Sequence, residues 1–498
     1  MRGRQGGGVR TVAGVLVAAI LAGGLHGGAA QAQADRLPDL GSASGDELSG
    51  GAERRLGESI MRELRQQGVV WDDAEFNGFL NRFAARLTGS AQARGLSFEL
   101  FAVRDPSINA FALPGGFIGV HTGLIAASSS ESELATVLAH EIGHVTQRHI
   151  ARMLSQQRQA SMMSLAALVL GALAARSSVD AAIGISTLGD TFAARQMMSF
   201  SRDSEREADR VGLEMLAEAG FDVRAAPRFF ERLQAANRYN ESRLPTWFRT
   251  HPVTGERMTD LQLRIRDMRP VTHVDGLDFR LIRARAIAVG SDSVDDLQAS
   301  RRRFDDAVLN DGREDAAAWF GLASVASAQR DWRGADAALA KARALIGVPH
   351  PYVARLEIAN ALAADRPAEA VRLAKAALER MPDTPSIVRL HAQALLGTKA
   401  WREAAAELRE RTSNDMRGDP DMWRMLSEAY QGLRERGMAH RAAAERYLLL
   451  GLRLPALEQL RLAVKAGDLD FYNGSIVDAK LREQEQRWRE ELKERREQ

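Results

Sequence analysis

Two histidines one helical turn apart with a glutamate between them, His140-Glu141-Ile142-Gly143-His144, are the residues of this chain best equipped for chemistry. At 3.6 residues per turn, positions i and i+4 share a helix face, so both imidazoles can reach one metal ion while Glu141 stands beside it as a general base. The chemistry this suits is hydrolysis of an amide. A bound ion supplies polarisation of the carbonyl and acidifies water, Glu141 takes the water's proton and passes it to the leaving amine, and no covalent intermediate forms. The same string arises by chance on helices with surface histidines, so its surroundings must decide. A structural zinc site needs four protein ligands and a catalytic one three; with no cysteine in the chain, nitrogen and oxygen must do all the coordinating.

The elements around the motif have the right character. Ser128, Ser129 and Ser130 lead into residues 131–139, an amphipathic helix by its spacing, with Leu134, Val137 and Leu138 on the apolar stripe. Downstream, Glu205 and Asp209 sit at i and i+4 in a second predicted helix, so their carboxylates can face the same way. Glu205 is the candidate third ligand. Asp209 suits a carboxylate that accepts a ligating imidazole's other N–H, or alternatively a proton donor. A solvated helix of ion pairs competes with this reading, and Glu207 and Glu214 compete with Glu205. His149, five residues past His144, is expected to point away from the metal face and to be structural. Between residues 98–103 and 118–121, both β-favouring, Pro114-Gly115-Gly116 predicts a turn, hence a small hairpin or meander before the metal helix. An edge strand there could hold an extended peptide by backbone pairing; the alternative is that residues 109–113 only pack on the core.

The motif HEIGH followed by Glu205-Arg206-Glu207-Ala208-Asp209 resembles the zinc-peptidase family that contains the CAAX prenyl protease and its soluble periplasmic relatives. That resemblance implies His140, His144 and Glu205 as ligands of one Zn2+ per chain, Glu141 as base and Asp209 as supporting acid. The resemblance is closer still to the BepA-like periplasmic peptidases, through Leu37-Pro38-Asp39-Leu40-Gly41, residues 109–124, and Thr250-His251-Pro252 with Arg257, so it covers most of residues 37–260. It implies quality control of outer-membrane β-barrel proteins, with unfolded or misassembled clients and the barrel assembly machinery as partners. His251 then has two roles open to it, donation to the oxyanion or occupation of the open zinc position as an inhibitory histidine. An ordinary loop histidine before proline is the third alternative.

Arg2, Arg4 and Arg10 before the apolar run 12–25, with Ala32-Gln33-Ala34 behind it, predict a cleavable signal peptide over residues 1–34 and a periplasmic product; an uncleaved anchor is the competing view. No cysteine follows the run for lipid attachment, and disulfides are excluded. Residues 162–175 and 177–192 are apolar but short for a span, and read as a lid or packing pair with peripheral membrane contact as an alternative. Without the three leader arginines, 64 basic residues face 65 acidic ones, so nothing points to nucleic acid. Beyond residue 300 an internal repeat appears: Ala335, Ala370, Ala404 and Ala439 recur at intervals of 35, 34 and 35. Trp319 with Leu322, and Trp423 with Leu426 and Tyr430, precede the first and last of them, a pattern that resembles tetratricopeptide repeats. A generic helical bundle is the alternative.

The expected fold is mostly α. A zincin-type α+β metallopeptidase domain with a small β-sheet (35–272) leads through a linker and first helix (273–300) to an α-helical tetratricopeptide-repeat solenoid (301–465) and a charged helical tail (466–498). Two functions fit: a zinc endopeptidase acting on exported proteins, either outer-membrane clients or a broader housekeeping set, and a chaperone or scaffold working mainly through its repeats.

Overall fold

The computed structural model describes residues 49–90, 93, 95–156, 200–236, 245–290, 293–310 and 315–497. The expected leader at 1–34, the stretch from Leu37 to Gly41, and the apolar segments 162–175 and 177–192 lie outside the described residues. Helices α1 (Gly50–Gln66) and α2 (Ala74–Thr88) come first. Asp73 starts α2 as its N-cap, accepting from the backbone N–H groups of Glu75 and Phe76 at 3.0 and 3.1 Å, a contact worth about 1 kcal/mol.

Strands β1 (Glu99–Val103), β2 (Ala110–Leu113) and β3 (Phe117–His121) form one sheet in the order β1-β3-β2. The hairpin predicted around Pro114 joins β2 to β3, with Ala110 opposite Val120. Its glycines are required: Gly115 and Gly116 have φ of +77° and +85°, and a Cβ on Gly116 would lie 2.1 Å from the Ser97 carbonyl. The sheet is not a meander, because β1 adds parallel to β3. The outer edge of β1 is taken by α2. Asn77 Oδ1 accepts from Ala102 N–H at 2.8 Å, and Asn81 bonds both the N–H and C=O of Leu100 at 3.0 and 2.7 Å. Two asparagines one turn apart, with an antiparallel bridge in which Trp71 N–H donates to Ala102 O at 2.8 Å, thus take the place of a full neighbouring strand, which leaves β2 as the other edge of the sheet.

Helices α3 (Thr122–Ala127), α4 (Glu131–Thr146) and α5 (His149–Gln156) follow. Of the three serines expected to lead into the helix, Ser130 is the one that caps α4, and Leu134, Val137 and Leu138 are fully buried. Burial extends to every residue from Glu131 to Val145, so α4 is a central helix rather than an amphipathic one. After α6 (Arg202–Glu218) come α7 (Ala225–Ala236), α8 (Thr246–Thr250), α9 (Gly255–Asp267) and α10 (Leu277–Val289). Helix α6 crosses α4 at small residues. A Cβ on Gly143 would stand 3.0 Å from Ala208 O, and one on Gly212 would stand 3.1 Å from Ala139 C.

The stretch 273–300 holds α10 and the start of α11 (Val294–Asn310), and Phe279, Leu281 and Ile282 of α10 are buried in the main core. Four helix pairs follow, α12 (Ala316–Ala328) with α13 (Trp332–Ile346), α14 (Pro351–Ala363) with α15 (Pro367–Leu378), α16 (Pro385–Gly397) with α17 (Trp401–Ser413), and α18 (Pro420–Leu433) with α19 (Arg436–Leu449). Ala335, Ala370, Ala404 and Ala439 are buried near the start of the second helix of each pair. The turn inside each pair carries a left-handed non-glycine residue, Arg330, Asp365, Lys399 and Arg434, with φ between +57° and +65° and the same spacing as the alanines. Helices α20 (Arg453–Ala466) and α21 (Phe471–Glu497) end the chain. The tail helix is docked on one side: Val477 is fully buried, and Arg453 Nη1 donates to Gln484 at 2.8 Å.

One hydrophobic core runs from Phe76 to Leu356 and therefore includes residues of the first repeats. A buried ion cluster crosses the same junction. Arg285 of α10 donates to Asp73 at 2.9 Å and Glu75 at 2.6 Å, and Arg355 of α14 stands 3.7 Å from Asp73. Among the described residues no helix is long and apolar enough to cross a membrane.

Candidate metal centre

Helix α4 presents His140 and His144 on one face, and the crossing with α6 brings Glu205, in the first turn of α6, against them. His140 Nε2 lies 3.0 Å from His144 Nε2 and 3.3 Å from Glu205 Oε2, while His144 Nε2 lies 3.4 Å from Glu205 Oε1. His251, just past the short helix α8, completes the group, its Nδ1 2.9 Å from Glu205 Oε1 and 3.3 Å from His140 Nε2. One potential ligand atom from each of the four lies within 4.8 Å of all the others, and each residue is buried.

These residues fit a zinc ion. Bonds of about 2.0–2.1 Å in a tetrahedral arrangement put ligand atoms about 3.3 Å apart, close to the separations observed. Three nitrogens and a carboxylate suit zinc in a chain without cysteine. Two buried carboxylate oxygens, Glu205 Oε2 and Glu141 Oε2, have no hydrogen-bond partner. Arg257 Nη1 is 2.7 Å from Glu205 Oε2, as an ion pair without hydrogen-bond alignment. Groups left this way deep in a protein call for a charged or polar ligand.

Behind the cluster, Asp209 Oδ1 accepts from His140 Nδ1 at 2.9 Å, and Arg257 clamps Asp209 through Nε and Nη2 at 2.7 and 2.8 Å. Burial opposes charge on His140, yet Asp209 and Glu205 prevail and push its pKa up to about 9. Burial likewise opposes ionisation of Asp209, but His140 and Arg257 bring it down to about 2. The charge of His251, with the imidazoles of His140 and His144 close by, overcomes burial at Glu205 and holds its carboxyl far below the usual range. His144 goes the other way, because burial dominates there.

Glu141, fully buried, accepts a 2.8 Å hydrogen bond from Trp247 Nε1 on Oε1, and that oxygen is 3.5 Å from His251 Nε2. Trp247 stacks on His251 with ring centroids 5.0 Å apart and on Phe230 with centroids 5.3 Å apart. Phe200 stacks on His144 at 3.8 Å. Neither aromatic contact was legible in the sequence, although Trp247 lies one helical turn before His251. The competing acids stand elsewhere: Glu207 pairs with Arg152 at 2.9 Å, and Glu214 with Arg210 at 3.0 Å. His149 departs from expectation. It is outside the four-residue group, yet its Nδ1 lies 2.8 Å from His144 Nδ1. Burial lowers its pKa.

With this geometry in view, the resemblance to known proteins becomes specific. Residues 75–265 match peptidase family M48. The chain is similar to the beta-barrel assembly-enhancing protease of Escherichia coli (strain K12), 32% identical over 474 residues that cover 94% of this chain and 95% of the relative. The protein of the same name from Yersinia pestis is 30% identical, covering 88% and 89% of the two chains. The mitochondrial metalloendopeptidase OMA1 of Arabidopsis thaliana is 31% identical over 234 residues, 45% of each chain.

Proposed function

The chain belongs to peptidase family M48 and is a zinc metalloendopeptidase, and from that premise we propose that it cleaves misassembled outer-membrane β-barrel proteins in the periplasm. The observation that carries the reading is the meeting of Glu205 with His140 and His144 from a separate helix, beside a fully buried Glu141. His140, His144 and Glu205 hold the zinc, which when bound polarises the scissile carbonyl and acidifies water. Glu141 accepts the water proton on its unpartnered Oε2 and delivers it to the leaving amine. Asp209, fixed by Arg257, holds the proton on His140 Nδ1 so that Nε2 is free to ligate. The substrate lies extended along β2, the sheet edge that α2 does not cover, and is held there by backbone pairing. His251 fills the place that a water or carbonyl needs, and so holds the site closed until α8 moves.

Export through a cleavable leader over residues 1–34 agrees with the relatives' names, which concern barrel assembly. The helix pairs, read as tetratricopeptide repeats, recruit the client or the barrel assembly machinery, which leaves the peptidase itself weakly selective. The test is Glu141→Gln in the full chain, because the first repeats share the peptidase core and cannot be removed cleanly. The variant should keep one zinc and its fold while cleavage of an unfolded barrel protein falls by roughly 10²- to 10⁴-fold. Wild-type cleavage by Glu141→Gln would overturn the proposal. Loss of cleavage with intact envelope integrity would favour the chaperone reading.

A further inference from the structure

The backbone breaks its helix immediately before His149. Arg148 adopts φ of +53°, the left-handed region that a non-glycine residue enters at a cost of order 1 kcal/mol, and it separates α4 from α5. The consequence is geometric. Five residues after His144, a continuous helix would carry the side chain at position 149 away from the metal face; the kink returns it, so that His149 Nδ1 meets His144 Nδ1 at 2.8 Å. Its other nitrogen, Nε2, lies 3.0 Å from Glu207 Oε2, which Arg152 Nη2 holds at 2.9 Å. His149 is only 2% exposed, while Glu207 and Arg152 reach solvent.

We infer that His149 is the positioning residue of His144, a neutral imidazole that accepts the ligand's Nδ1 proton and so turns its Nε2 toward the metal. The inference rests on the ligand set proposed above. A histidine that ligates through Nε2 carries its proton on Nδ1, and that N–H needs an acceptor. His149 can accept only through a bare Nδ1, so its own proton must sit on Nε2, where Glu207 receives it. The chain His144, His149, Glu207, Arg152 therefore has one self-consistent arrangement of protons. It parallels His140, Asp209, Arg257 on the other ligand, with an imidazole in place of the carboxylate. An imidazole puts no further negative charge beside Glu205 and Glu141, in a pocket that already buries both. The strained Arg148 is the local cost of bringing that acceptor back.

The test compares full-length His149→Phe, His149→Gln and Glu205→Gln, with zinc affinity measured by chelator competition and the zinc-free unfolding transition as control. Phenylalanine keeps the buried ring and removes both nitrogens, so the zinc dissociation constant should rise roughly ten- to hundredfold. Glutamine restores an acceptor and a donor and should recover much of the loss. The His144 ring in the zinc-bound wild type should show a protonated Nδ1 by ¹⁵N NMR, a signature that His149→Phe disturbs. If His149→Phe does not fold, Glu207→Ala keeps the ring and should weaken zinc in the same direction by less. Unchanged affinity in His149→Phe, or in Glu207→Ala where that variant must serve, overturns the inference, as does failure of glutamine to rescue. Glu205→Gln separates the two levels: full zinc affinity there sinks the ligand set itself, whereas its loss beside an unaffected His149→Phe sinks only the role of His149.

Discussion

Gly212 has no part in the chemistry, yet its replacement by alanine should disable the metal centre. In α6 it faces the backbone of α4, and a Cβ there would lie 3.1 Å from both Ala139 C and His140 N and 3.2 Å from Ala139 O. Ordinary carbon contacts are about 3.5–4.0 Å, so the helices must separate by roughly 0.5 Å at the crossing. The opposing atoms are helix backbone and cannot swing aside. Metal sites tolerate errors of about 0.2 Å in ligand distance. Glu205 rides on α6, two turns before Gly212, and His140 and His144 ride on α4, so the separation falls directly on the ligand set. Overpacking of this kind costs about 1–3 kcal/mol of stability. If half or more of that is felt at the ligands, about 0.5–3 kcal/mol, zinc binding weakens roughly two- to hundredfold, since about 1.4 kcal/mol is a factor of ten. The assay is chelator competition on purified full-length protein with zinc-free unfolding alongside. Gly255→Ala is the control, because a Cβ at that position meets nothing within 4 Å. Wild-type zinc affinity and stability in Gly212→Ala would refute the argument that this crossing sets the site.

Two further outcomes follow from the contacts around the centre and at the junction with the repeats. His251→Ala should raise cleavage of an unfolded substrate without lowering zinc content; a fall in turnover at unchanged zinc would instead assign His251 to the oxyanion. Asp73→Asn keeps the N-cap of α2 but removes the charge that Arg285 pairs with, and should cost about 3 kcal/mol at neutral pH. Burial opposes the ionised form of Asp73, but the charge and hydrogen bonds of Arg285 win and hold its pKa far below the unfolded value of about 3.9. A depressed folded pKa gives stability that is fully present above about pH 4 and fades as pH falls toward the folded value. Urea unfolding of both proteins between pH 7 and pH 2.5 should show the gap closing below about pH 4; a gap independent of pH would contradict this account.

How far the amino-acid sequence reaches depends on the range of the interaction that decides each feature. His140 and His144 share a face because of the helical repeat, Ser130 caps α4 because a hydroxyl can bond the exposed N–H of Glu133, and Gly115 and Gly116 turn because they have no Cβ. The alanine spacing of the repeats is equally local, since each pair must bury a small residue where its helices cross. All of these were legible beforehand. Its spacing with Asp209 made Glu205 the candidate third ligand, in competition with Glu207 and Glu214, and the resemblance to a peptidase family pointed to the same residue.

Contacts between distant segments were not legible. The outer edge of β1, whose other edge pairs parallel with β3, is taken by Asn77 and Asn81, a match between a helix face and a strand that neither stretch displays alone. The capture of Glu141 by Trp247, 106 residues later, requires α8 to lie over the metal helix. The position of His149 turned on one backbone angle at Arg148, which no periodicity announces. By itself the sequence determined which residues could serve a zinc ion and which local elements carry them, because helix phase, caps and turns act over a few residues. Only the tertiary structure decided that Glu205 and His251 meet His140 and His144, and that His149 stands against His144, because those contacts depend on how closely α4 and α6 pack and on where the chain turns between helices.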